Sequence, residues 1–468
     1  MGADINPNAF AYVALFSWPI ITVILYLRMN VVRATLWSIL GAFLLLPRGT
    51  EVDLPLFPPL DKSTVSNLSA YFACWFVAGK RVRLLPSSNL IRFFLIVYLV
   101  SPFITALLNQ QPIIAGPIYI KGMNYYDAFS AVIRQVLFML PFSMGLTLFR
   151  TEKDLEYVFK ILAVCGLLYS IPMLLEVRFS PQLNRWIYGY HPAQFVQNKR
   201  ADSFRPVVFI GHGLAVAYFT MMSLVAAAIL KRIRLTVANI DSRIVFVFLG
   251  VMLLLCKSLA SFVYAIIILS MMFFFSPVKQ VKFSRFLAII IIAYPLIRTA
   301  ELFPLNDLVD VASLVSNERA HSLNYRFENE EILLNKAKEH LLFGWGSWGR
   351  NRVYDLVTGR DLSVTDGRWI ITLGMFGLIG YFAEFGLLIL PIMQCRKAVT
   401  KSTNSRERFM LGGLSLLLAI NMLDLLPNST IMPFSWMLAG ILIGYAEALK
   451  IRLKVPANLA VGKYGSVE

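Results

Sequence analysis

The sequence predicts an all-α polytopic membrane protein, with about 12–13 transmembrane helices and a long outer loop that contains amphipathic helices. Three observations predict this class. Hydrophobic residues make up 57% of the 468 residues, charged residues only 15%, and apolar segments follow one another along almost the whole chain. This composition excludes an ordinary soluble protein, and we expect one membrane domain over residues 1–468.

Thirteen apolar segments are predicted. Several are shorter than the roughly 20 residues that span a bilayer upright, so we expect some of them to be broken or partly buried in protein. The segments are 9–27, 34–47, 66–79, 90–108, 129–149, 155–175, 207–230, 244–256, 258–276, 286–303, 369–392, 409–426 and 430–449.

The net charge of +17 raises the possibility of nucleic-acid binding. However, the basic residues occupy short loops between apolar segments rather than one soluble face, so no nucleic-acid partner is predicted. The clusters at 80–83, 231–243, 279–285 and 396–408 fall on alternate loops, as the positive-inside rule requires. These loops are therefore predicted to be cytoplasmic.

Basic loops flank residues 244–276 on both sides, so this run must form a hairpin, with its turn near Lys257 and Ser258. The same parity places residues 304–368 outside. In a bacterium, the outer side means the periplasm or the cell surface. The four cysteines lie in apolar segments or at a cytoplasmic end, so no disulfide is predicted.

Two outer loops carry unusual charge. Loop 176–205 has five basic and two acidic residues, including Arg200 and Arg205, and this excess breaks the positive-inside bias. An anionic ligand explains it, as does pairing with loop 304–368, which has ten acidic and eight basic residues. The outer loops 48–67 and 109–127 are interpreted as scaffold.

Loop 304–368 is predicted to carry the active site. Its apolar residues Phe327, Ile332, Leu334, Ala337 and Leu341 recur at helical spacing, which predicts an amphipathic helix over 327–341. Before it lie residues 318–326, which contain Arg319 and Arg326. A turn rich in glycine and tryptophan follows at 343–349, and then residues 365–369. Arginines, an acid and aromatic rings are therefore expected to meet beside the membrane surface.

All four histidines, His191, His212, His321 and His340, are predicted on or near the outer face. Each is either structural or a base that titrates near neutral pH.

In this region the sequence resembles the superfamily of O-antigen ligases and O-antigen polymerases, bacterial membrane glycosyltransferases. Ser322 to Arg326, with the helix that ends in the His340 to Gly346 turn, is similar to the family's serine-to-arginine start, amphipathic helix and Pro-Leu-Phe-Gly-x-Gly turn. Leu341 replaces the usual proline, and Glu330 stands where a tryptophan is common.

Two further stretches carry the resemblance. Asp366 to Trp369, followed by Phe376 to Gly380, is similar to the family's His-Asn-x-Tyr stretch and its closing Gly-Leu-Ile-Gly, with aspartate in place of the histidine. Phe204 to Gly213 looks like the family's arginine at the start of a membrane segment.

The resemblance implies a multi-pass glycosyltransferase of the bacterial inner membrane, with residues 304–368 in the periplasm. Such an enzyme needs neither metal nor cofactor and uses an undecaprenyl-diphosphate-linked glycan. Membrane lipids, and a chain-length regulator and a flippase of the same pathway, are the other partners it implies. Polymerase is favoured by the loss of the motif histidine at Asp366. A ligase that transfers the glycan to lipid A core, and a transporter or flippase for lipid-linked sugars, remain open.

Roles follow for particular residues. Arg205 and Arg326, with Arg319 in reserve, are expected to bind the diphosphate through forked hydrogen bonds. Arg200, Trp345 and Arg368 complete the predicted substrate-binding set. Asp366 is expected to position or deprotonate the acceptor hydroxyl, with His321 as the other candidate base. Alternatively, Asp366 is the N-cap of the membrane helix that follows.

Overall fold

The architecture is a bundle of helices, as expected for apolar segments that must satisfy every backbone polar group within the segment itself. A computed structural model describes residues 6–54, 57–192, 198–200, 203–314, 316–429 and 431–453. The helices are α1 (Ala9–Arg28), α2 (Val31–Leu45), α3 (Lys62–Phe76), α4 (Asn89–Leu108), α5 (Tyr125–Leu148), α6 (Glu152–Phe179), α7 (Leu183–Tyr188), α8 (Gly213–Arg232), α9 (Ser242–Leu255), α10 (Leu259–Phe274), α11 (Pro277–Thr299), α12 (Leu305–Ser313), α13 (Asn317–Glu339), α14 (Arg368–Lys401), α15 (Ser405–Asp424) and α16 (Pro433–Arg452). Two antiparallel pairs of short strands join β1 (Ile113–Ala115) to β2 (Ile118–Ile120) and β3 (Lys199–Arg200) to β4 (Ser203–Phe204).

The predicted class is confirmed, and each of the thirteen predicted apolar segments corresponds to one helix. Within the described residues, eight helices are long and apolar enough to cross a membrane: α1, α4, α5, α6, α8, α11, α14 and α16. Helices α2, α9 and α10 are apolar but have only 15, 14 and 16 residues. At 1.5 Å per residue they reach about 21–24 Å, less than the roughly 30 Å of a hydrocarbon core.

The predicted hairpin is confirmed. Helices α9 and α10 are separated by a turn in which Lys257 has a left-handed backbone, with φ of 50°. Phe246, near the start of α9, packs edge-on against Phe273, near the end of α10, with 6.3 Å between ring centroids. The far ends of the two helices therefore meet, and both flanking basic loops lie at the same end of the bundle.

The basic loops meet at one end of the bundle, which we call the basic end. Arg83, before α4, pairs with Glu447 in the last turns of α16 at 3.0 Å. Arg452, at the end of α16, pairs with Glu407 in the first turn of α15 at 2.9 Å. Loops that the charge pattern grouped on one side are thus in contact.

Helix α8 is the most buried of the spans: 89% of its apolar stretch is buried, compared with 28% in α1. Helices α5 and α16 approach closely through glycines, because a Cβ at Gly440 would lie 2.0 Å from the Phe142 carbonyl oxygen and one at Gly145 would lie 2.5 Å from that of Met437. Membrane helices associate without a hydrophobic driving force between them, and small residues at their interfaces let the backbones approach closely.

Helix α14 folds back on itself at Gly377, within the predicted apolar segment 369–392. Gly377 has φ 67° and ψ −168°, a conformation open only to glycine. The side chains of Arg368 and Glu384, 16 residues apart, nevertheless lie 2.8 Å apart. A straight helix would separate them by about 24 Å along its axis. Residues 368–376 are therefore a short half-helix packed against residues 378–386.

The turn after α13 fills the space opened by this break. The amide of Trp345 donates to the Gly374 carbonyl at 2.8 Å, and the amide of Leu378 donates to the Leu341 carbonyl at 2.8 Å. A Cβ at Gly377 would lie 2.2 Å from the Leu342 backbone. The turn after α13 and the break in α14, which both belong to stretches quoted for the family resemblance, are therefore hydrogen-bonded to each other through their backbones.

Loop 304–368 is anchored to the bundle rather than free. The guanidinium of Arg350, which is 2% exposed, donates to the carbonyls of Trp345, Lys121 and Gln111 at 3.1, 2.9 and 2.9 Å. The loop between α4 and α5 is thus a support for loop 304–368. The predicted amphipathic helix forms part of α13, although Ile332 is exposed and Leu333 takes the buried position.

Candidate functional site

Residues 205–212, between β4 and α8, form the rigid wall of the site. The prediction began the helix at 207, but α8 begins at Gly213: Val208 and Gly211 have left-handed backbones, with φ of 44° and 83°, and side chains of α6 bind the backbone amides before the helix. The amides of Val207 and Val208 both donate to Glu176 Oε2 at 2.7 Å, and those of Phe209 and Ile210 donate to the Tyr169 hydroxyl at 3.1 Å. Four consecutive amides are therefore bonded to α6.

Two arginines pack against the glycines on either side of His212. A Cβ at Gly213 would lie 2.5 Å from Arg205 Nε, and one at Gly211 would lie 2.7 Å from Arg48 Cδ. Arg48 also donates to the Gly211 carbonyl at 3.4 Å. Arg205 is 5% exposed. Loop 48–67, interpreted as scaffold, thus contributes an arginine to this site, and sequence reasoning missed it.

His212 is surrounded by positive charge. Burial, together with the charges of Arg48, Arg205 and Arg326, lowers the pKa of His212 from 6.5 to about 4. Its Nδ1 accepts a hydrogen bond from the Leu214 amide at 3.3 Å, as the N-cap of α8. The ring is consequently neutral near pH 7 and offers Nε2–H as a donor. Arg205 and Arg326 are both predicted to bind the diphosphate. The charges of both lower the pKa of this one imidazole.

Arg326 faces Asp366 across the opening of the site. Arg326 Nε lies 3.9 Å from Asp366 Oδ2, and the two side chains are 35% and 44% exposed. This is a loose ion pair, in which both groups retain hydrogen-bonding capacity for another molecule. The N-cap of α14 is Gly367, and no side chain caps the helix there, so the interpretation of Asp366 as an N-cap is wrong.

A second carboxylate lies near Arg326. Asp424 is the last residue of α15, accepts a hydrogen bond from Asn428 at 2.9 Å, and interacts with Tyr264 of α10 and with the charge of Arg326. Asp424 lies within the predicted apolar segment 409–426 and is not among the predicted site residues. Two features of the sequence could have identified Asp424 as a site residue: it lies at the end of an apolar segment, and the polar Asn428 follows one turn later.

Helix α13 is held in place by a buried carboxylate, Glu330. It accepts from Trp369 Nε1 at 3.3 Å and from the Tyr294 hydroxyl at 3.4 Å, and it lies 3.8 Å from Arg298 Nε. Burial raises the pKa of Glu330. Glu330 occupies the position where the resembled family has tryptophan, and its partner here is the tryptophan at 369. These contacts orient Arg326, one turn earlier.

Arg368 has a structural partner. Its Nε and Nη2 donate to the two carboxylate oxygens of Glu384 at 2.8 and 3.0 Å, and the Thr372 hydroxyl donates to the same carboxylate at 3.2 Å. The forked pair closes the fold-back of α14, because it joins residues on either side of Gly377. The structure therefore gives this guanidinium an internal ligand, where the sequence predicted a substrate.

Trp345 lies in the turn after α13, half-buried between His340 and Lys336. Its ring centroid is 3.8 Å from that of His340 and 3.5 Å from Lys336 Nζ, and its Nε1 donates to the Lys336 carbonyl at 2.7 Å. The indole is thus engaged in holding the turn. His321 is exposed on α13. The side chains of Arg200 and Arg319 lie outside the described part of the structure, so their predicted roles stay predictions.

A scan of the chain against models of known protein families finds no match, and neither does a search against curated proteins. In the part of the chain that the structure describes, no three His, Cys, Asp or Glu side chains come together in a way that could hold a metal ion.

The arrangement can bind an anion with side chains alone. Three guanidinium groups and a neutral imidazole donor face one region, and the carboxylates of Asp366 and Asp424 lie near Arg326. Arginine forks match the oxygens of phosphate groups, whereas a carboxylate can orient or deprotonate a hydroxyl. The site therefore combines groups suited to a phosphorylated donor with groups suited to a hydroxyl acceptor.

Proposed function

We propose that this protein polymerises oligosaccharide repeat units carried on undecaprenyl diphosphate, at the outer face of a bacterial inner membrane, for O-antigen or exopolysaccharide. The observation that carries the proposal is the convergence of Arg48, Arg205 and Arg326 on His212 at one end of a membrane bundle. On this proposal, loops 176–205 and 304–368 are periplasmic and the basic end is cytoplasmic, in accord with the positive-inside rule.

The chemistry requires the sugar carbon of the donor to be attacked by an acceptor hydroxyl while its bond to the diphosphate breaks. The leaving diphosphate gains negative charge in the transition state, and fixed guanidinium groups stabilise that charge without reorganisation. Arg205 is suited to this task because its side chain is packed against Gly213 and buried. The enzyme would thus act as a metal-independent glycosyltransferase.

The acceptor hydroxyl would be bound on the side of Arg326 that faces Asp366. A carboxylate in a loose ion pair can accept the hydroxyl proton or orient the oxygen lone pair toward the sugar carbon. Asp424 is another carboxylate that interacts with the charge of Arg326, and exposed His321 is the other candidate base. Chain-length regulators and flippases of the same pathway would be partners.

Two other functions compete. A ligase would transfer the finished glycan to lipid A core; aspartate at 366, in place of the histidine of the resembled family, favours the polymerase. A transporter of lipid-linked sugars would show paired broken helices in two related halves, with its site near the bilayer midplane. Here the polar groups lie instead at one end of the bundle, and the break in α14 lies at the same end.

Deletion of the gene in the native host, followed by gel analysis of surface polysaccharide, separates the three functions. If the surface polysaccharide loses its long chains but retains single repeat units, the protein is a polymerase. Long chains that stay on the carrier lipid identify a ligase, and donor that accumulates on the cytoplasmic face identifies a flippase. Either of the last two results would overturn the proposal.

Point variants test the site itself in the complemented strain. Arg205→Ala should reduce long-chain product roughly 100- to 1,000-fold, and Arg205→Lys should rescue it only partly because a point charge replaces a fork. Arg178→Ala and Arg185→Ala are matched controls, since both arginines are exposed in the same outer loop region. Full activity of Arg205→Ala, or equal losses in the controls, would remove Arg205 from the mechanism.

A further inference from the structure

A cavity of about 580 Å³ lies at the basic end, far from the candidate site. It is bounded by the end of α8, the end of α10, the start of α11 and the start of α15. Its lining includes three arginines, Arg232, Arg234 and Arg406, and a row of phenylalanines, Phe273, Phe274 and Phe275.

The three arginines give the cavity its charge. Arg232, Arg234 and Arg406 are all exposed, and among the described residues none of their guanidinium groups lies within 4.0 Å of a carboxylate. The Arg232 guanidinium lies over the Phe409 ring at 5.8 Å, a contact that limits its motion. Arg234 holds a left-handed backbone, with φ of 59°, where the chain turns away from α8. Three positive charges thus face one space without an internal counter-ion in this part of the chain.

Beside the arginines stands a row of exposed aromatic rings. Phe273, Phe274 and Phe275 are 38%, 81% and 39% exposed at the end of α10. Helix α10 is apolar along its length, and its unburied face belongs in lipid. The cavity therefore has one apolar side that continues into the membrane and one cationic side at the membrane surface.

We propose that this cavity binds an anionic phospholipid, with the phosphate between the arginines and the acyl chains along the phenylalanines. Charge and position select this occupant, because basic pockets between membrane helices at the cytoplasmic surface suit lipid phosphates. The carboxyl-terminal residues 454–468 do not match the cavity, since they carry two lysines and one glutamate. The lipid would bridge three helices, α8, α10 and α15.

These three helices also carry residues of the candidate site at or beside their opposite ends: His212 caps α8, Tyr264 lies in α10, and Asp424 ends α15. A lipid that fastens their basic ends together would stabilise the relative positions of those residues. The binding claim itself does not depend on the proposed glycosyltransferase function.

The test uses the purified full-length chain in mild detergent, with native mass spectrometry and thermal unfolding as readouts. Phosphatidylglycerol is the anionic probe, phosphatidylethanolamine the lipid of zero net charge, and inorganic phosphate the headgroup analogue. The variant R232Q/R234Q/R406Q removes the three cavity charges. The control R396Q/K397Q/K401Q removes three exposed charges at the same end, outside the cavity.

Phosphatidylglycerol affinity should fall roughly 100-fold in the cavity variant, at about five-fold per arginine, and by less than three-fold in the control. The thermal shift that the lipid gives the wild type should disappear with it. Equal losses in both variants, or equal binding of the two lipids, would overturn the proposal. Displacement of the lipid by an equal concentration of phosphate would identify a free-phosphate site instead. If the triple variant does not fold, R406Q alone should lose about five-fold.

Discussion

Replacement of Asp366 by asparagine separates the chemical role of this carboxylate from its structural role. The ion pair with Arg326 is 3.9 Å long and 35% to 44% exposed, so its contribution to stability is at most about 1 kcal/mol. In a chain of 468 residues, 1 kcal/mol corresponds to a Tm change of about 1 °C. Asparagine preserves shape and hydrogen-bonding ability. Folding should therefore be almost unchanged.

Activity should respond differently. If Asp366 accepts or orients the hydroxyl proton, Asp366→Asn should reduce polymer synthesis roughly 100-fold or more, the usual contribution of a general base. The assay is chain extension of a lipid-linked repeat unit by purified protein, with Tm measured on the same samples.

Asp361→Asn is the matched control, because Asp361 pairs with Arg352 at 2.6 Å in the same outer loop and lies outside the site. Activity of Asp366→Asn within a few-fold of wild type would refute the reasoning, as would an equal loss in Asp361→Asn. If Asp366→Asn stays active while His321→Ala does not, the base is on α13.

Three further predictions follow from the described contacts. Gly377→Ala should abolish folded protein in the membrane, because its Cβ would lie 2.2 Å from the Leu342 backbone and its φ is 67°; Gly250→Ala, whose nearest neighbour is at 4.0 Å, should accumulate normally on a membrane immunoblot. Since the pKa of His212 is lowered from 6.5 to about 4, the folded state binds fewer protons than the unfolded state between these values, and stability should fall as pH decreases from 6.5 to 4; His212→Asn, which keeps a capping side chain, should flatten that part of a Tm-versus-pH curve, and an unchanged slope would contradict the assignment. A cysteine at exposed Leu356 should react with an impermeant thiol reagent in spheroplasts, and one at exposed Arg396 should not. Background should be low because Cys74, Cys165, Cys256 and Cys395 are buried. Equal labelling of the two positions would contradict the proposed topology, and labelling at 396 alone would reverse it.

The helical segments were predictable because membrane helices are specified locally, by runs of apolar residues. The hairpin at Lys257 was predictable for the same kind of reason, since the basic loops at its two ends constrain its direction. Arg205 could be selected because the excess basic charge of loop 176–205 contradicts the positive-inside rule, whereas Arg326 was selected from the resemblance of residues 322–326 to a family motif.

The features that the sequence did not reveal depend on distant partners. Val207 to Ile210 are as apolar as a helix, yet Val208 has a left-handed backbone and their amides bond to Glu176 and Tyr169 of α6. Arg48 joins the site because Gly211 accepts it, although 163 residues separate the two. The fold-back at Gly377 requires both a glycine and the turn at Leu341 to Gly346 that fills the gap. A single position error also mattered: the N-cap of α14 is Gly367, one residue beyond Asp366.

The half-helix at the start of α14 depends on hydrogen-bond acceptors that are synthesised after it. The amide of Arg368 donates to the carbonyls of Leu425 and Asn428, at 2.9 and 3.0 Å, and these residues come 57 and 60 positions further along the chain. Until α15 and the turn after it have entered the membrane, that amide has no such acceptor, and an unsatisfied amide is costly in hydrocarbon. Residues 364–369, which include Asp366, therefore reach their final position only after Leu425 and Asn428 have been synthesised. A nascent chain that stalls before residue 425 would hold the arginines of the site without a correctly placed Asp366.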